Sequence, residues 1–296
     1  MSRIELSDEE SRMDGAPVGE LFAVEVVPDS LLSPLPNAVE LLQSLRNDYS
    51  KETSWSDQFV FVQGIRSLLL FHVDAVQSGP KDKLIQCVID SLESLRSSSV
   101  RNGLSAGGLL MKYGNLAREQ LFHIVQAMVV RTAGGPKFIC DEAEAVLKES
   151  LQSINPLLAA ESLIEGTHHK NADVVSKAYV LMGHTFLRIP SNTSDLCTAH
   201  RPLIKCLFIG LSSKRVQGKE GSRLAIRHLH NLIGDAEFTH AVASCDLPNS
   251  LTKLIAKEIS DLKIANSSTC QNISTGVDVL DPLMRVQTTG EGEICT

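Results

Sequence analysis

Residues 54–71 read SWSDQFVFVQGIRSLLLF and include Trp55, the only tryptophan of the chain. Large side chains recur behind it at spacings of three and four residues, the period of an amphipathic helix with a broad apolar face. They are Phe59, Val62, Ile65, Arg66, Leu69 and Leu70. Ser54 is placed to cap the helix, and Asp57 lies in its first turn, where the helix dipole favours an acid. The stretch predicts a helix from Trp55 to about Val76, where an SGP turn follows.

Trp55 has two interpretations at the start of such a helix. Large aromatic side chains are usually mostly buried, so the first is that it packs inward. Tryptophan is also enriched in binding hot spots, so the second is an exposed anchor for a partner at the edge of a helical hairpin. The residues at equivalent places along the chain bear on this choice.

The composition favours a helical core built from aliphatic side chains. Of the 296 residues, 43% are hydrophobic but only 4% are aromatic, which suits stacked helices better than a β-sandwich. The seven cysteines form no CxxC pair, which argues against a zinc site or a disulfide framework and for a reducing, cytoplasmic compartment. The longest apolar runs fall far short of the roughly 20 residues that cross a bilayer, so we expect no membrane insertion.

The net charge of −7 is unevenly distributed. Residues 1–36 carry eight acids and two arginines, and residues 265–296 carry four acids and one arginine. The other 25 basic and 23 acidic residues leave the middle of the chain mildly basic, which is compatible with an acidic partner. We therefore expect a disordered acidic segment over 1–36, a folded unit over 37–264 and a flexible tail over 265–296.

Helical periodicity recurs throughout residues 37–264, and no strand pattern interrupts it. The predicted helices pair into about six hairpins of roughly 35–45 residues, the repeat length of HEAT and armadillo arrays. Their two helices start near 37 and 55, 82 and 100, 118 and 138, 156 and 173, 198 and 219, and 236 and 250. In the fifth hairpin, Pro202 either kinks the first helix or marks its start. The chain is thus predicted to be an all-α solenoid whose intra-hairpin loops line one edge.

Basic residues and the lone tryptophan stand where the second helix of each hairpin begins. The segments are SW at 54–55, RSSS at 96–99, PKF at 136–138, HKN at 169–171, and KR at 214–215 followed by Lys219. Surface loops are commonly solvated and rich in lysine and arginine, so this pattern alone fits either a binding edge or ordinary loops.

At these positions the sequence resembles TOG domains, in particular those of CLASP and of crescerin-type arrays. SWSDQFVFVQGIRSLL is similar to their first tubulin-contacting loop and LRSSSVRNGLSAGGLL to the second. GGPKFICDEAEAVLKESL, KNADVVSKAYVLMGH and GKEGSRLAIRHLHNLIGDAEFTHAV resemble the third, fourth and fifth. The resemblance covers residues 37–264 in order. It departs from the family at Gln58 and at Val175 and Ser176, where basic residues are usual.

The resemblance implies a paddle-shaped domain of six hairpins whose loop edge binds αβ-tubulin or the microtubule lattice. Trp55 would be its apolar anchor. The cations that would pair with the acidic surface of tubulin are Arg96, Arg101, Lys137, Lys170, Lys214 and Lys219. The resemblance also implies a place on cytoplasmic microtubules, including those of the cilium or axoneme. Arg101 and Arg223 have a second interpretation as structural residues that bond within the stack.

An enzyme is the class of protein that the sequence argues against. It contains no GxxxxGK[ST], HExxH or GxSxG motif, and the adjacent His168 and His169 are more typical of a solvated link than of a metal site. We predict no catalytic residue, cofactor, metal, nucleic acid or small-molecule substrate. The alternative to a tubulin-binding domain is a generic HEAT or armadillo scaffold that holds another protein without binding tubulin.

Overall fold

The computed structural model describes residues 25–50, 52–191 and 196–273, with side chains up to residue 262. Over these residues the chain is helical and contains no strand, as predicted. After a 3₁₀ turn at Asp29–Leu31, the α-helices are α1 (Ala38–Asn47), α2 (Trp55–Phe71), α3 (Val73–Ser78), α4 (Lys81–Glu93), α5 (Ser97–Tyr113), α6 (Arg118–Arg131), α7 (Lys137–Gln152), α8 (Pro156–Ser162), α9 (Ile164–Thr167), α10 (Ala172–Phe186), α11 (Leu196–Ala199), α12 (Arg201–Gly210), α13 (Val216–Ser244) and α14 (Asn249–Ile273). None of the described helices has both the length and the apolar character that a membrane crossing requires.

The helices pair into six hairpins, which confirms the predicted solenoid. The first helices are α1, α4, α6, α8 with α9, α11 with α12, and the part of α13 after Gly234. The second helices are α2, α5, α7, α10, the part of α13 before Gly234, and α14. The second helices from α2 to α13 pack side by side in chain order, and the first helices form the other layer. This two-layer stack is a HEAT-like α-solenoid.

Three helix boundaries refine the sequence expectations. The helix from Trp55 does not continue to Val76, because His72 leaves helical geometry with φ −136° and ψ 45° and α3 begins after it. Pro202 lies in the first turn of α12 and so marks its start, one of the two options that the sequence left open. Gly234, with φ 76°, breaks α13 between the fifth and sixth hairpins, and a positive φ is readily adopted only by glycine.

Five of the six α2 residues that the periodicity predicted for the packed face are buried, and Leu70 is only partly buried. The buried residues of α2 are Phe59, Val62, Ile65, Arg66, Ser67, Leu68 and Leu69. Ser54 caps the helix as expected, since its Oγ accepts a hydrogen bond from the backbone N–H of Asp57 at 3.2 Å. The cap fixes where α2 begins, and it therefore fixes the position of Trp55 at the first turn.

The fourth and fifth hairpins meet by direct contact of the α10 and α13 backbones. A Cβ added to Gly221 of α13 would lie 2.4 Å from the carbonyl oxygen of Tyr179 in α10. A Cβ added to Gly183 of α10 would likewise lie 2.4 Å from the carbonyl oxygen of Gly221. No side chain separates the helices at these points, so the register of the two hairpins depends on both glycines.

Arg66 is a buried arginine of α2 whose partners come from two other parts of the chain. Only 1% of it is exposed. Its Nε and Nη2 donate to Oδ1 of Asp29 at 3.0 and 2.5 Å, and Nη2 also donates to the carbonyl oxygen of Val27 at 2.6 Å. Its Nη1 donates to Oδ1 of Asn102 at 2.9 Å, and Asn102 in turn donates to the carbonyl oxygen of Phe59. The guanidinium thus fastens the chain before α1 to α2 and α5.

Residues 25–36, which we call the N-terminal strap, pack against the first hairpin, so the expectation of disorder over 1–36 is wrong for these residues. Besides the contacts with Arg66, the backbone N–H of Leu35 donates to Nε2 of His72 at 3.1 Å. The strap lacks helical periodicity, which is why the sequence pattern placed it outside the folded unit. The expectation of disorder for residues 1–24 lies outside the described residues.

The C-terminal boundary also differs from the one expected at residue 264. Helix α14 continues to Ile273. The sequence from Lys263 to Ile273 is rich in Ser and Asn but contains no Gly or Pro that would end a helix. The rest of the predicted tail, residues 274–296, lies outside the described residues.

Candidate interface at the loop edge

The loops within the first five hairpins lie along one edge of the solenoid. They comprise residues 48–54 (residue 51 is not described), 94–96, 132–136, 168–171 and 211–215. Because the second helices pack side by side, their N-termini share this edge. We call these five loops, together with the first turns of the helices that follow them, the loop edge. The contacts between neighbours are Trp55 with Arg96, Arg101 with Glu142, and Asp173 with Arg215. Gly134 and Asn171 lie close together, since a Cβ added to Gly134 would lie 3.2 Å from Nδ2 of Asn171.

Trp55 is partly buried and forms the first residue of α2. The guanidinium of Arg96, an exposed residue of the second loop, lies over its ring at 4.2 Å from the centroid. A guanidinium over an indole face is a cation–π contact. Trp55 is therefore neither fully buried in the core nor fully exposed. Trp55 and Arg96, two of the candidate residues, contact each other and form one surface.

Arg101 and Lys137 are exposed but paired within the chain. Arg101 donates from Nε to Glu142 at 2.7 Å across α5 and α7, so the structural interpretation of this arginine has a concrete partner. Lys137 pairs with Asp141 one turn along α7. The hydrogen bond to the Asp141 carboxylate raises the pKa of the Lys137 ammonium above its usual value. Exposed ion pairs of this kind contribute little to stability, so an acidic partner can compete for either cation.

The fourth and fifth loops carry the unpaired cations of the candidate set. Lys170 and Lys214 are exposed and Lys219 is partly exposed, and none of the three has an ion pair with any described residue. Between them, Arg215 pairs with Asp173 at 2.7 Å and ties α13 to the start of α10. This end of the loop edge therefore presents positive charge to solvent.

Three apolar residues of the loop edge were missed by the sequence analysis. Leu95 is fully exposed, Val216 is 72% exposed and Phe138 is 54% exposed. Each is the chain neighbour of a basic residue: Arg96, Arg215 and Lys137, respectively. For Phe138 and Val216 the available signal was an apolar residue next to a basic one at the start of a second helix, outside the apolar period of that helix. Leu95 gave no such signal, because it continues the apolar period of α4. Exposed apolar residues that recur along one edge are typical of a protein interface.

Gln58 stands where TOG domains usually have a basic residue, and its side chain makes a hydrogen bond within the first hairpin. Its Nε2 donates to the hydroxyl of Tyr49 at 3.2 Å, and that hydroxyl donates to Asp90 at 2.6 Å. Burial, followed by the nearby Cys87 and Asp90, raises the pKa of Tyr49 well above its usual value. Gln58 thus supports the fold and does not replace the missing cation.

Lys177, which follows Val175 and Ser176 in α10, also makes its contacts within the array. It donates to Glu144 of α7 at 2.5 Å, and Lys148 pairs with the same carboxylate at 2.7 Å. Burial alone would raise the pKa of Glu144, but the hydrogen bonds from Lys148 and Lys177 outweigh it and lower the pKa. This cluster bridges the third and fourth hairpins and takes Lys177 out of the candidate interface.

Arg223 is a structural residue that bonds within the stack, which agrees with its structural interpretation in the sequence. It donates from Nε to Glu258 of α14 at 2.9 Å, and Arg227 binds the other oxygen of that carboxylate at 2.6 Å. Glu258 is only 8% exposed, so the two arginines neutralise a nearly buried acid. The cluster fastens the sixth hairpin to the fifth.

Comparison with known proteins identifies the fold class and then its particular form. No family model matches the chain, and no curated protein matches its sequence. Solved helical-repeat structures do match. The MAST/Orbit N-terminal domain aligns with a TM-score of 0.50 at 16% identity, over 78% of this chain and 99% of that one.

Two further structures are TOG domains by description. A crescerin domain, from a TOG array described as regulating microtubules in the primary cilium, aligns with a TM-score of 0.51 at 16% identity, over 79% of this chain and 91% of that one. The Zyg9 TOG domain from C. elegans aligns with a TM-score of 0.50 at 14% identity, over 80% and 91%. The chain therefore has the HEAT-like helical solenoid fold of TOG domains.

Proposed function

We propose that this chain is a non-enzymatic, TOG-like protein that binds tubulin or the microtubule lattice through its loop edge. It would act in the cytoskeleton, on cytoplasmic microtubules or on those of the axoneme. The observation that carries the proposal is the partly exposed Trp55, covered by Arg96, at the start of a continuous edge built from five loops. The fold shared with TOG domains supports the same assignment.

The chemistry of the loop edge divides into two parts. Trp55 and Arg96, with the exposed Leu95 beside them, form an apolar and cationic patch at one end of the edge that suits a binding hot spot. Lys170 and Lys214, at the other end, keep free ammonium groups that attract an acidic surface from a distance. The first part is expected to set the lifetime of a complex and the second its rate of formation and its salt dependence.

Microtubule co-sedimentation tests the two parts separately. Trp55→Ala is expected to weaken binding about thirtyfold, because truncation of a hot-spot tryptophan costs about 2 kcal/mol. Lys170→Glu/Lys214→Glu is expected to weaken binding most at low salt and to flatten its dependence on salt. The matched control is Lys112→Glu/Lys257→Glu, which changes the charge equally at exposed lysines in the last turn of α5 and on α14.

Helical circular dichroism and the melting temperature of every variant must match those of the unaltered chain. Equal loss of binding in the control pair would assign the interaction to net charge and contradict a role for the loop edge. If the unaltered chain neither pellets with microtubules nor shifts free tubulin on gel filtration, the proposal fails. The chain would then be a scaffold of the same fold for another protein.

A further inference from the structure

The sixth hairpin carries an apolar cleft that nothing among the described residues covers. The cleft has a volume of about 750 Å³ and lies between α14 and the part of α13 that follows Gly234. Its apolar lining includes Phe238, Val242, Leu247, Ile255 and Ile259. Val242, Leu247 and Ile259 are only partly buried, so the cleft presents apolar surface to solvent.

The two ends of the solenoid differ in this respect. An array of stacked repeats needs a cover at each end, because a terminal repeat has a neighbour on one side only. At the first hairpin the N-terminal strap supplies contacts through Asp29 and Arg66. At the last hairpin the structure describes no equivalent segment, although the chain continues beyond Ile273.

The chain after α14 contains one segment with the composition to fill the cleft. Residues 277–286 read VDVLDPLMRV. The apolar members are Val277, Val279, Leu280, Leu283, Met284 and Val286. The segment also contains two acids and one arginine, so its apolar residues, and not its net charge, match it to the cleft. Pro282 disfavours a continuous helix across the segment and favours an extended one.

The distances allow this segment to return to the cleft. The lining residues of α14 lie between positions 252 and 260, and the helix ends at Ile273. From residue 260 to the end of the helix is about 20 Å at 1.5 Å per residue. An extended chain covers about 20 Å in six residues. A segment that turns back after Ile273 therefore reaches Ile259 within residues 277–286.

We infer that residues 277–286 lie antiparallel to α14 in this cleft and close the C-terminal end of the solenoid. The segment is the C-terminal counterpart of the N-terminal strap. This inference does not depend on tubulin binding, and its test does not involve tubulin.

Hydrogen exchange measured by mass spectrometry tests the inference on the full chain and on a chain ending at Ile273. Backbone amides of residues 238–259 are expected to exchange about tenfold faster, or more, in the shortened chain, because the cover over their helices is lost. Amides of α5, which lie far from the cleft in the array, serve as the internal reference. Equal exchange of residues 238–259 in the two chains would overturn the inference.

A pair of full-length variants separates burial of the segment from its mere presence. Leu280→Asp/Leu283→Asp is expected to reproduce the fast exchange of the shortened chain. Thr288→Asp/Thr289→Asp adds the same charge just outside the segment and is expected to leave exchange slow. Equal effects of the two variants would refute docking by the apolar residues. Protection that disappears on dilution would assign the cleft to a second copy of the chain and would also refute it.

Discussion

Gly221→Ala is expected to lower the free energy of unfolding by about 3 kcal/mol or more, the upper range for overpacking a tight core. The added methyl group would lie 2.4 Å from the carbonyl oxygen of Tyr179 and 2.8 Å from Cα of Val180. Both are backbone atoms of α10, so no change of rotamer can relieve the clash. The two helices must move apart, and contacts on both sides of the interface are lost with them.

The matched control is Gly135→Ala in the loop edge. A Cβ at Gly135 meets no atom within 4 Å, and its φ is not positive, so this variant is expected to change stability by less than about 1 kcal/mol. Urea unfolding followed by circular dichroism measures both variants under the same conditions. Equal stability of Gly221→Ala and the unaltered chain would show that α10 and α13 do not touch as described.

Most of the fold could be predicted from the sequence, because the apolar period of the helices and the turn residues between them indicate the same helix boundaries. A 3.6-residue apolar period predicted the helices, and the spacing of their starts predicted six hairpins. The predictions were wrong where long-range contacts, and not the local sequence, determine the structure. Nothing in the letters around His72 separates a continuous helix from two helices, since the interruption coincides with a long-range hydrogen bond from Leu35. The strap was missed because it lacks helical periodicity and is held by long-range contacts with Arg66 and His72.

The candidate site could be predicted in part. The positions of Trp55 and Arg96 at helix starts were readable, because caps and periodicity locate those starts. Their contact was not, because the two residues lie in different hairpins and meet only when α2 packs on α5. Likewise, the sequence shows that Lys137 and Lys170 are basic, but only the structure shows that the first is paired and the second is not.

Asp29→Ala is expected to lower the free energy of unfolding by about 3 kcal/mol. Removing one partner of a buried ion pair costs about 3–5 kcal/mol, because the remaining charge is left uncompensated. The lower figure applies because the Asp29 side chain is 43% exposed, whereas that of Arg66 is 1% exposed. Thermal and urea unfolding measure the change, with Asp48→Ala as the control at an exposed acid without an ion pair among the described residues.

Two N-terminal deletions test whether the strap contributes to the free energy of unfolding. Removal of residues 1–24 keeps Val27 and Asp29 and is expected to leave stability unchanged. Removal of residues 1–31 takes away Val27 and Asp29, two of the three acceptors of Arg66, and is expected to destabilise the chain at least as much as Asp29→Ala. If the longer deletion were as stable as the shorter one, the strap would not be part of the folded unit.

A double-mutant cycle decides whether the effect of Asp29→Ala arises from the charge of Arg66. Arg66→Met fills the same space without a charge, and buried ion pairs are often replaced by apolar residues at little cost. In the Arg66→Met background, Asp29→Ala is therefore expected to change stability by less than about 1 kcal/mol, since no buried charge then needs a partner. A loss of about 3 kcal/mol in both backgrounds would instead assign the role of Asp29 to the 3₁₀ turn that it begins.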